Sequence, residues 1–352
     1  MSPLGVALIG GGIFIKNEHL PAVLKCDQLS LKAIFSRSHK SAHETAKLVP
    51  GGASVALYSS DSGAGNTYED LLLREDIAAV IIALPITKQV EYVERALAAG
   101  KHVLAEKPIA PDVLAAKALI DFAAATKAAK GATLSIAENF RFHPTIAHAR
   151  TESKKLGKLR QMSLEFFLNL DKDNKYYNTD WRTKPDFQGG FVLDAGVHAA
   201  AAMRWLLQGD AAPDTIHALT SLVSEHLIPV DTAHAVVKLK SGALASIHIS
   251  LGSKLSTAFG TPIECKMEHQ DGVIHIVGTK VITRANGQDE VVSEFAKTSG
   301  VSEEVAAWAE GLVRGEADAR QSPVLALGDV EFIEGILDSA EENGRGQKLV
   351  LQ

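Results

Sequence analysis

Two apolar segments of the sequence carry side chains that can stabilise charge and move protons. In "HVLAEKPIA" (102–110), Lys107 follows an apolar run and precedes a proline. In "FVLDAGVHAAAAMRWLL" (191–207), Asp194 and His198 lie four residues apart. A lysine beside a hydroxyl or carbonyl stabilises developing negative charge, and a histidine titrates near neutrality. These residue types suit proton transfer on an alcohol or carbonyl, although a lysine by itself is more often a solvated charge.

The spacing of Asp194 and His198 favours the chemical interpretation. The apolar pattern predicts a helix over 190–207, in which residues four apart lie on one face, about one turn from each other. Most of their neighbours are Ala, Val or Leu, so we expect this face to be buried or half-buried. A lone buried histidine is more often a core residue, whereas an aligned Asp–His pair combined with a lysine motif favours acid–base chemistry.

A glycine turn, "LIGGGIFI" (8–15), follows the first predicted strand and opens a helix. In this context Gly10 and Gly12 provide a tight turn and close backbone approach to the pyrophosphate of a dinucleotide. The third position of the fingerprint is Ile15 instead of Gly or Ala, so we expect the helix to stand slightly further from the strand. The predicted cofactor contacts extend to the next residues, Ile13 and Phe14.

The end of the second predicted strand, "IFSRSHK" (34–40), has no carboxylate to bind a ribose 2′-hydroxyl. It offers the guanidinium of Arg37 and the hydroxyls of Ser36 and Ser38 instead. A charged fork with hydroxyl donors suits a 2′-phosphate. The segment therefore predicts NADP(H) as the cofactor, with NAD(H) as the less favoured alternative, unless Arg37 is only a surface residue.

Apolar runs and amphipathic stretches alternate in the first part of the chain. Runs such as 101–106 are nearly continuous in apolar residues, as strands buried on both faces are. The stretch 88–100 has an apolar stripe at helical spacing and ends in glycine, and Thr67 and Asp70 have capping-box spacing. This alternation predicts an α/β fold with a doubly wound parallel Rossmann sheet, in a dinucleotide-binding domain over 1–138.

The pattern changes after about residue 140. A long predicted strand at 158–169 is followed by a polar loop and then by short runs with turn signals between them, among them 272–277 and 280–285. A further helix is predicted over about 302–314. We therefore expect a substrate-binding and oligomerisation domain over 139–352, of the α+β class, with an open and mostly antiparallel sheet.

Composition excludes several classes of function. The 352 residues carry a formal net charge of −6, and no run of Lys or Arg indicates a nucleic-acid or membrane surface. No apolar segment reaches the roughly 18 residues that span a membrane. Cys26 and Cys265 lie far apart, which argues against a zinc site or a disulfide framework. We expect a cytoplasmic protein without a metal, acting on a small molecule.

Several motifs together resemble the glucose–fructose oxidoreductase, inositol dehydrogenase and rhizopine catabolism (Gfo/Idh/MocA) superfamily. These are "HLPAV" (19–23), "AGKHVLAEKPIA" (99–110) and "GGFVLDAGVH" (189–198). The segments "AENF" (137–140) and "WRTKP" (181–185) resemble a fungal branch of NADP(H)-dependent oxidoreductases, of the kind found in budding yeast. The resemblance implies hydride transfer between nicotinamide and a secondary alcohol or carbonyl of a sugar, polyol or related small molecule.

The resemblance also implies roles for individual residues. Lys107 would lie between nicotinamide and substrate, His198 would move the hydroxyl proton, and Asp194 would orient the substrate or the imidazole. Whether Lys107 or His198 donates the proton stays open. Further expected cofactor contacts are Leu84, Pro85, Glu106, Asn139, Trp181 and Arg182, and further expected substrate contacts are Arg141 and Tyr176. Many members have Pro-Asn-x-x-His where this chain has "PITKQ" (85–89), which leaves the details of cofactor contact open.

Two other classes of function fit parts of the sequence. One is a catalytically silent NADP-binding regulator, which would have no physical reason to retain Lys107, Asp194 and His198 together. The other is a glycosidase that uses bound nicotinamide transiently and shows no net absorbance change. The C-terminal sheet has a face that no predicted helix covers, so we expect a homodimer or homotetramer through it. The substrate itself and the physiological direction stay open.

Overall fold

The computed structural model describes residues 2–52, 55–207, 209–255 and 262–352. The chain forms two compact units. Unit 1 comprises the residues up to Ala110, Leu114–Asn139 and Ser299–Ala326; unit 2 comprises Pro111–Val113, Phe140–Thr298 and Leu327–Gln352. A single boundary after residue 138 differs from this division, because segment 299–326 belongs to unit 1.

The helices and strands have the following bounds. The helices are α1 (Leu20–Lys25), α2 (His39–Ala46), α3 (Tyr68–Leu72), α4 (Ile86–Ala98), α5 (Val113–Lys130), α6 (Pro144–Ser153), α7 (Asp180–Thr183), α8 (Phe191–Asp194), α9 (Val197–Leu206), α10 (Val301–Arg314) and α11 (Pro323–Glu341). The strands are β1 (Leu4–Ile9), β2 (Leu29–Ser36), β3 (Ala56–Ser59), β4 (Ala79–Ile82), β5 (His102–Glu106), β6 (Leu134–Ala137), β7 (Leu159–Phe167), β8 (Pro213–Ser221), β9 (Thr232–Leu239), β10 (Leu244–Ser250), β11 (Ile263–His269), β12 (Gly272–Val277), β13 (Lys280–Ala285), β14 (Val291–Glu294) and β15 (Gln347–Lys348). A π-helical turn, Ile15–His19, precedes α1, and short 3-10 turns lie at Pro50–Gly52, Asn139–Phe142, Gly209–Ala211 and Ala319–Gln321.

The sheet of unit 1 has the strand order β3-β2-β1-β4-β5-β6, and its neighbouring strands are parallel. This is the doubly wound order, in which the direction of winding reverses between β1 and β4. All four residues of β4 are buried, as its continuous apolar sequence predicts. The predicted Rossmann sheet is confirmed.

Segment 299–326 joins unit 1 through the apolar face of α10. Val301, Val305 and Trp308 are buried in one core cluster with residues of β1 and of α1, and α10 packs against α1. The burial of this apolar stripe explains why a segment distant in sequence belongs to unit 1.

Local signals for helix ends in unit 1 match the structure. The Thr67 side chain accepts a hydrogen bond from the Asp70 amide, and Asp70 in turn accepts one from the Thr67 amide, which forms a capping box at the start of α3. Gly100 follows α4 with φ +79°, a conformation that other residues rarely adopt. Both features were expected from spacing alone.

The sheet of unit 2 has the order β14-β13-β12-β11-β7-β10-β9-β8-β15. Its neighbouring strands are antiparallel except for β7 and β10, which pair in parallel. The strands predicted at 272–277 and 280–285 have the observed bounds of β12 and β13. The expectation of an open, mostly antiparallel sheet is confirmed.

The two faces of this sheet differ in burial. One face carries residues such as Leu164, Val237 and Ile247, which are buried in a core cluster with residues of α6 and α9. The other face carries exposed apolar side chains at Leu219, Val236, Leu244 and Val273, interspersed with polar residues. This alternation follows the two-residue period of a strand.

The helix predicted over 190–207 is divided in two. Helix α8 ends at Asp194 and α9 begins at Val197, with Ala195 and Gly196 between them. At this junction the His198 amide donates to the Ala195 carbonyl at 3.2 Å. The acceptor lies three residues before the donor, whereas in an α-helix it lies four residues before. Asp194 is buried and His198 is half-buried, as expected, but a tightened turn separates them.

Three further observations concern sites and compartments. No helix within the described ranges has the length and apolarity needed to cross a membrane. In the same ranges no group of three His, Cys, Asp or Glu side chains is arranged to hold a metal ion. Cys26 and Cys265 are free thiols, and burial raises the pKa of the Cys265 thiol.

Candidate active site

Most of the residues predicted to bind the cofactor lie at one edge of the unit 1 sheet. They follow or end successive strands: Gly10 after β1, Ser36 at the end of β2, Leu84 after β4, Lys107 after β5 and Asn139 after β6. Because the carboxyl ends of parallel strands share one edge, the fold brings these residues together there. Doubly wound sheets bind ligands outside this edge, at the point where the winding reverses.

The glycine turn has the geometry that a phosphate site needs. Gly10 has φ +129°, and a Cβ placed on it would lie 2.5 Å from the Ala83 carbonyl oxygen, so the backbone requires glycine. Gly12 is exposed, and a Cβ placed on it would meet no atom within 4 Å. The turn therefore combines close packing behind Gly10 with open space at Gly12, which fits the pyrophosphate of a dinucleotide.

The third fingerprint position, Ile15, is fully buried in the core of unit 1. The turn that begins there is π-helical, a wider turn than the α-helix predicted at this point. Ile13 and Phe14 precede it and are half-buried. The Phe14 ring lies edge-on to the imidazole of His19, with centroids 5.3 Å apart.

The three residues predicted to bind a 2′-phosphate differ in exposure. Ser36 is buried, Arg37 is exposed, and Ser38 is half-buried. The Ser38 hydroxyl caps α2 by accepting a hydrogen bond from the Ser41 amide at 3.3 Å. Arg37 therefore presents its charge to solvent at the end of β2, and the start of α2 lies directly after it.

The structure brings a carboxylate to this region that sequence analysis missed. Asp61 follows β3, whose Ser59 pairs in register with Ser36 of β2. The Asp61 carboxylate accepts hydrogen bonds from the Ser59 hydroxyl at 2.6 Å and from the His39 amide at 2.8 Å. The Ser59 bond lowers the pKa of Asp61, as does the His39 bond. Only the pairing of β2 with β3 could have indicated this neighbour.

Lys107 is half-buried and follows a buried carboxylate. Glu106 accepts a hydrogen bond from His19 Nε2 at 2.6 Å, and the Lys107–Pro108 peptide bond is cis. The family resemblance implies a cofactor contact for Glu106, whereas residue type and spacing imply no role for His19. The only available signal was the position of His19 in the motif "HLPAV" (19–23).

The "PITKQ" segment (85–89) also contacts the main chain on both sides of Lys107. Leu84 and Pro85 are half-buried, and α4 begins directly after Pro85. One turn into α4, the Gln89 side chain donates to the main-chain carbonyl of Glu106 and, at 3.2 Å, to that of Pro108. The departure from the common family pattern thus places an amide against the Lys107 segment.

In unit 2, four of the predicted residues form one cluster. Arg182 Nε donates to Asp194 Oδ2 at 2.6 Å, and the Arg182 guanidinium lies 4.0 Å from the centroid of the Trp181 ring. The same guanidinium lies 5.8 Å from the ring centroid of Tyr176. Helix α7 and the end of α8 therefore meet through an ion pair that sequence spacing did not indicate.

His198 takes part in a stack of rings. Its imidazole lies 4.4 Å from the Phe140 ring with planes inclined by 22°, and the His143 ring lies 4.7 Å from Phe140 at the same inclination. Stacking on Phe140 fixes the plane of the His198 imidazole, which a proton-transfer group requires. The His143 ring, in the same stack, supports this arrangement.

Asn139 and Arg141 are buried, and each side chain is bonded to a partner within its own unit. Asn139 is buried and donates to the Ser299 carbonyl at 2.6 Å, which ties the end of β6 to the segment before α10. Arg141 is only 1% exposed, and its guanidinium donates to the carboxylate of Asp329, which is equally buried. At this exposure Arg141 presents almost no surface to a substrate.

Comparison with known proteins agrees with the fold and the motifs. Residues 4–132 match the profile of the oxidoreductase family with an NAD-binding Rossmann fold, GFO_IDH_MocA, and residues 146–282 match the GFO/IDH/MocA C-terminal domain. "Dehydrogenase FPY6" of Fusarium mangiferae is 37% identical over 354 residues, which cover 99% of both chains. The expected resemblance to fungal oxidoreductases is confirmed.

Two more distant proteins match most of the chain. The "D-xylose 1-dehydrogenase (NADP(+)) 2" of Haloferax volcanii is 27% identical over 321 residues, 89% of this chain and 94% of that protein. The crystal structure of an oxidoreductase from Thermotoga maritima superposes with a TM-score of 0.84 at 29% identity, covering 99% of this chain and 98% of that chain.

Proposed function

The chain belongs to the Gfo/Idh/MocA oxidoreductase family, and from this premise we propose that it is an NADP(H)-dependent dehydrogenase or reductase. Its substrate is a sugar, a polyol or a related small molecule with a secondary alcohol or carbonyl. The observation that carries the proposal is the arrangement at one sheet edge of the glycine turn, the segment 36–38 and Lys107.

The choice of NADP(H) rests on charge at the end of β2. Arg37 is exposed there, and a guanidinium binds a phosphate through charge-assisted hydrogen bonds. Asp61 lies near the same strand end and opposes binding of a 2′-phosphate through like charge. The name of the Haloferax relative, which includes NADP(+) and D-xylose, supports both the cofactor and the substrate class.

The reacting groups are assigned by residue type and environment. The nicotinamide, when bound, accepts or donates the hydride. Lys107 stabilises negative charge on the reacting oxygen, and His198, held by the Phe140 ring, moves the hydroxyl proton. Asp194, paired with Arg182, orients the substrate or the imidazole.

The first experiment is a fluorescence titration of cofactor-free protein with NADPH and with NADH. We expect a preference for NADPH of about 30-fold, equivalent to about 2 kcal/mol, and its loss in Arg37→Ala. Asp61→Asn is the matched variant of opposite sign and should strengthen NADPH binding. Equal binding of both cofactors by the wild type would refute the NADP assignment, and absence of binding would refute the enzyme assignment.

A screen of sugars and polyols with NADP⁺ then tests the reaction. Net formation of NADPH with one of these alcohols, lost in Lys107→Met and in His198→Asn, supports the proposal. Tightly held cofactor with turnover but no net absorbance change would identify a nicotinamide-assisted glycosidase. Cofactor binding without any turnover would identify a silent regulator.

We also propose that a second copy of the chain covers the exposed face of the unit 2 sheet. The apolar side chains on this face, Leu219, Val236 and Leu244, lie on neighbouring strands, so their exposed areas are close together. Sedimentation at micromolar protein should show a dimer or tetramer, and Val236→Glu should shift it to monomer. A monomeric wild type would contradict the proposal.

Two free thiols suit a cytoplasmic location, which a fluorescent fusion would test.

A further inference from the structure

Two buried side chains hold the main chain on both sides of Lys107. Gln89, 1% exposed, donates from its amide to the carbonyl of Glu106 and, at 3.2 Å, to the carbonyl of Pro108. The Glu106 carbonyl belongs to the peptide group just before the lysine, and the Pro108 carbonyl lies one peptide group beyond the Lys107–Pro108 bond. The β5 ladder ends at Glu106, and at this point the Gln89 side chain supplies donors to the main chain.

The second anchor acts through Glu106. His19, fully buried, donates from Nε2 in a 2.6 Å hydrogen bond to one oxygen of the Glu106 carboxylate. The other oxygen accepts the Lys107 main-chain amide at 3.2 Å. His19 belongs to the turn after β1 and Gln89 to α4, so two separate elements fix one short segment.

We propose that Gln89 and His19 are positioning residues for Lys107. The inference rests on the proposed function, in which Lys107 stabilises charge at the reacting oxygen. With the main chain held at Glu106 and at Pro108, the side-chain torsions of Lys107 mainly set the position of its ammonium group. A displacement of about 1 Å at a reacting group costs on the order of 100-fold in rate, so this anchoring bears directly on turnover.

The central variant is Gln89→Leu, and the chain offers a matched control in Gln321→Leu. Gln321 belongs to the same unit, is also 1% exposed, and donates at 3.0 Å to a main-chain carbonyl, that of Glu304. Both variants remove a buried amide that serves a carbonyl, but only the first touches the Lys107 segment. Gln89→His, which keeps one N–H donor at this position, serves as the rescue.

The first readout is the acetylation rate of Lys107 with isotope-coded acetic anhydride, followed by mass spectrometry. In Gln89→Leu we expect this rate to rise about 3- to 10-fold, the equilibrium factor that one net hydrogen bond provides. Gln321→Leu should leave it unchanged, and Gln89→His should restore most of the wild-type rate. Equal labelling of Lys107 in Gln89→Leu and Gln321→Leu would overturn the proposal.

The second readout separates positioning from cofactor binding. With the alcohol found in the NADP⁺-linked screen, Gln89→Leu should lower kcat about 10-fold or more through misplacement of Lys107, with little change in the Kd for NADPH. An unchanged kcat would overturn the role in turnover. Labelling needs neither cofactor nor substrate, so failure of the proposed function would show as absent NADPH binding in the wild type, independently of the labelling result.

His19 provides a second pair of variants if Gln89→Leu fails to fold. His19→Leu removes the bond to Glu106, whereas His19→Gln keeps a donor within reach of it. Faster labelling of Lys107 in His19→Leu than in His19→Gln supports the proposal. Identical labelling in the two variants would overturn it for this anchor.

Discussion

Asp329 is the buried carboxylate that two arginines share, and Asp329→Asn removes its charge without changing its shape. Arg141 and Arg204 each donate to one of its oxygens, and both are buried. Burial lowers the pKa of Arg204, and the Asp329 charge opposes this effect. The matched variant is Arg141→Met, which removes one arginine and leaves the ion pair of Asp329 with Arg204 intact.

The two substitutions should differ in cost because they leave different charges unbalanced. Asp329→Asn leaves two buried guanidinium groups without their common carboxylate, and breaking a buried ion pair costs about 3–5 kcal/mol. After Arg141→Met, Asp329 still pairs with Arg204. The remaining cost is then about one hydrogen bond to a charged group, roughly 1.5–3 kcal/mol. We therefore expect Asp329→Asn to be the more destabilising by about 1–3 kcal/mol.

Urea unfolding measures this difference. Circular dichroism and tryptophan fluorescence should be followed together, because a chain with two compact units gives a single free energy of unfolding only where the transitions coincide. Equal destabilisation by the two variants, or a cost below about 1 kcal/mol for Asp329→Asn, would refute the reasoning from shared charge.

The same variants decide the role of Arg141. If Arg141 only balances Asp329, Arg141→Met should lower stability and leave the KM of the substrate unchanged. A variant with wild-type stability and a KM raised tenfold or more, about 1.4 kcal/mol, would establish Arg141 as a substrate residue, as the family resemblance implies.

Three further predictions concern other elements. Thr67→Ala removes the capping box of α3 and should cost about 1 kcal/mol in urea unfolding; an unchanged midpoint would contradict this. A double-mutant cycle of Arg182→Met and Asp194→Asn should give a coupling free energy of about 2 kcal/mol, because the pair is mostly buried; additive effects would show that the ion pair contributes nothing. Burial lowers the pKa of His102, so the folded chain keeps it neutral while the unfolded chain binds a proton below about pH 6.5. Stability should therefore fall as the pH drops through this value, and less steeply in His102→Asn; equal pH dependence of Tm in the two proteins would argue against it.

Local patterns in the sequence determined most of the elements. The alternation of β12 and β13, the turn signals beside them and the apolar stripe of α4 are properties of adjacent residues, so their bounds follow from the sequence within a few positions. The sequence also determined that Gly10, Ser36 and Lys107 lie at the ends of parallel strands, and therefore at one sheet edge. Parallel pairing follows from the strand–helix alternation.

The tertiary structure decided which side chains meet across long separations in sequence. Asp61 reaches the end of β2 only because β3 pairs with β2, and Gln89 and His19 reach the Lys107 segment from two other elements. Arg182 of α7 likewise meets Asp194 at the end of α8 only in the folded chain. Such partners depend on packing between elements, which cannot be inferred from residue types and their spacing in the sequence.

The junction in the predicted helix 190–207 shows the limit within a single element. The apolar spacing continues through Ala195 and Gly196, so periodicity alone predicts an unbroken helix. In the fold, a Cβ on Gly196 would lie 2.3 Å from the Val192 carbonyl oxygen, a contact that only glycine avoids. The sequence by itself therefore determined that Asp194 and His198 share a buried segment. The tertiary structure decided that Asp194 pairs with Arg182 and His198 stacks on Phe140, because each side chain's partner comes from a different part of unit 2.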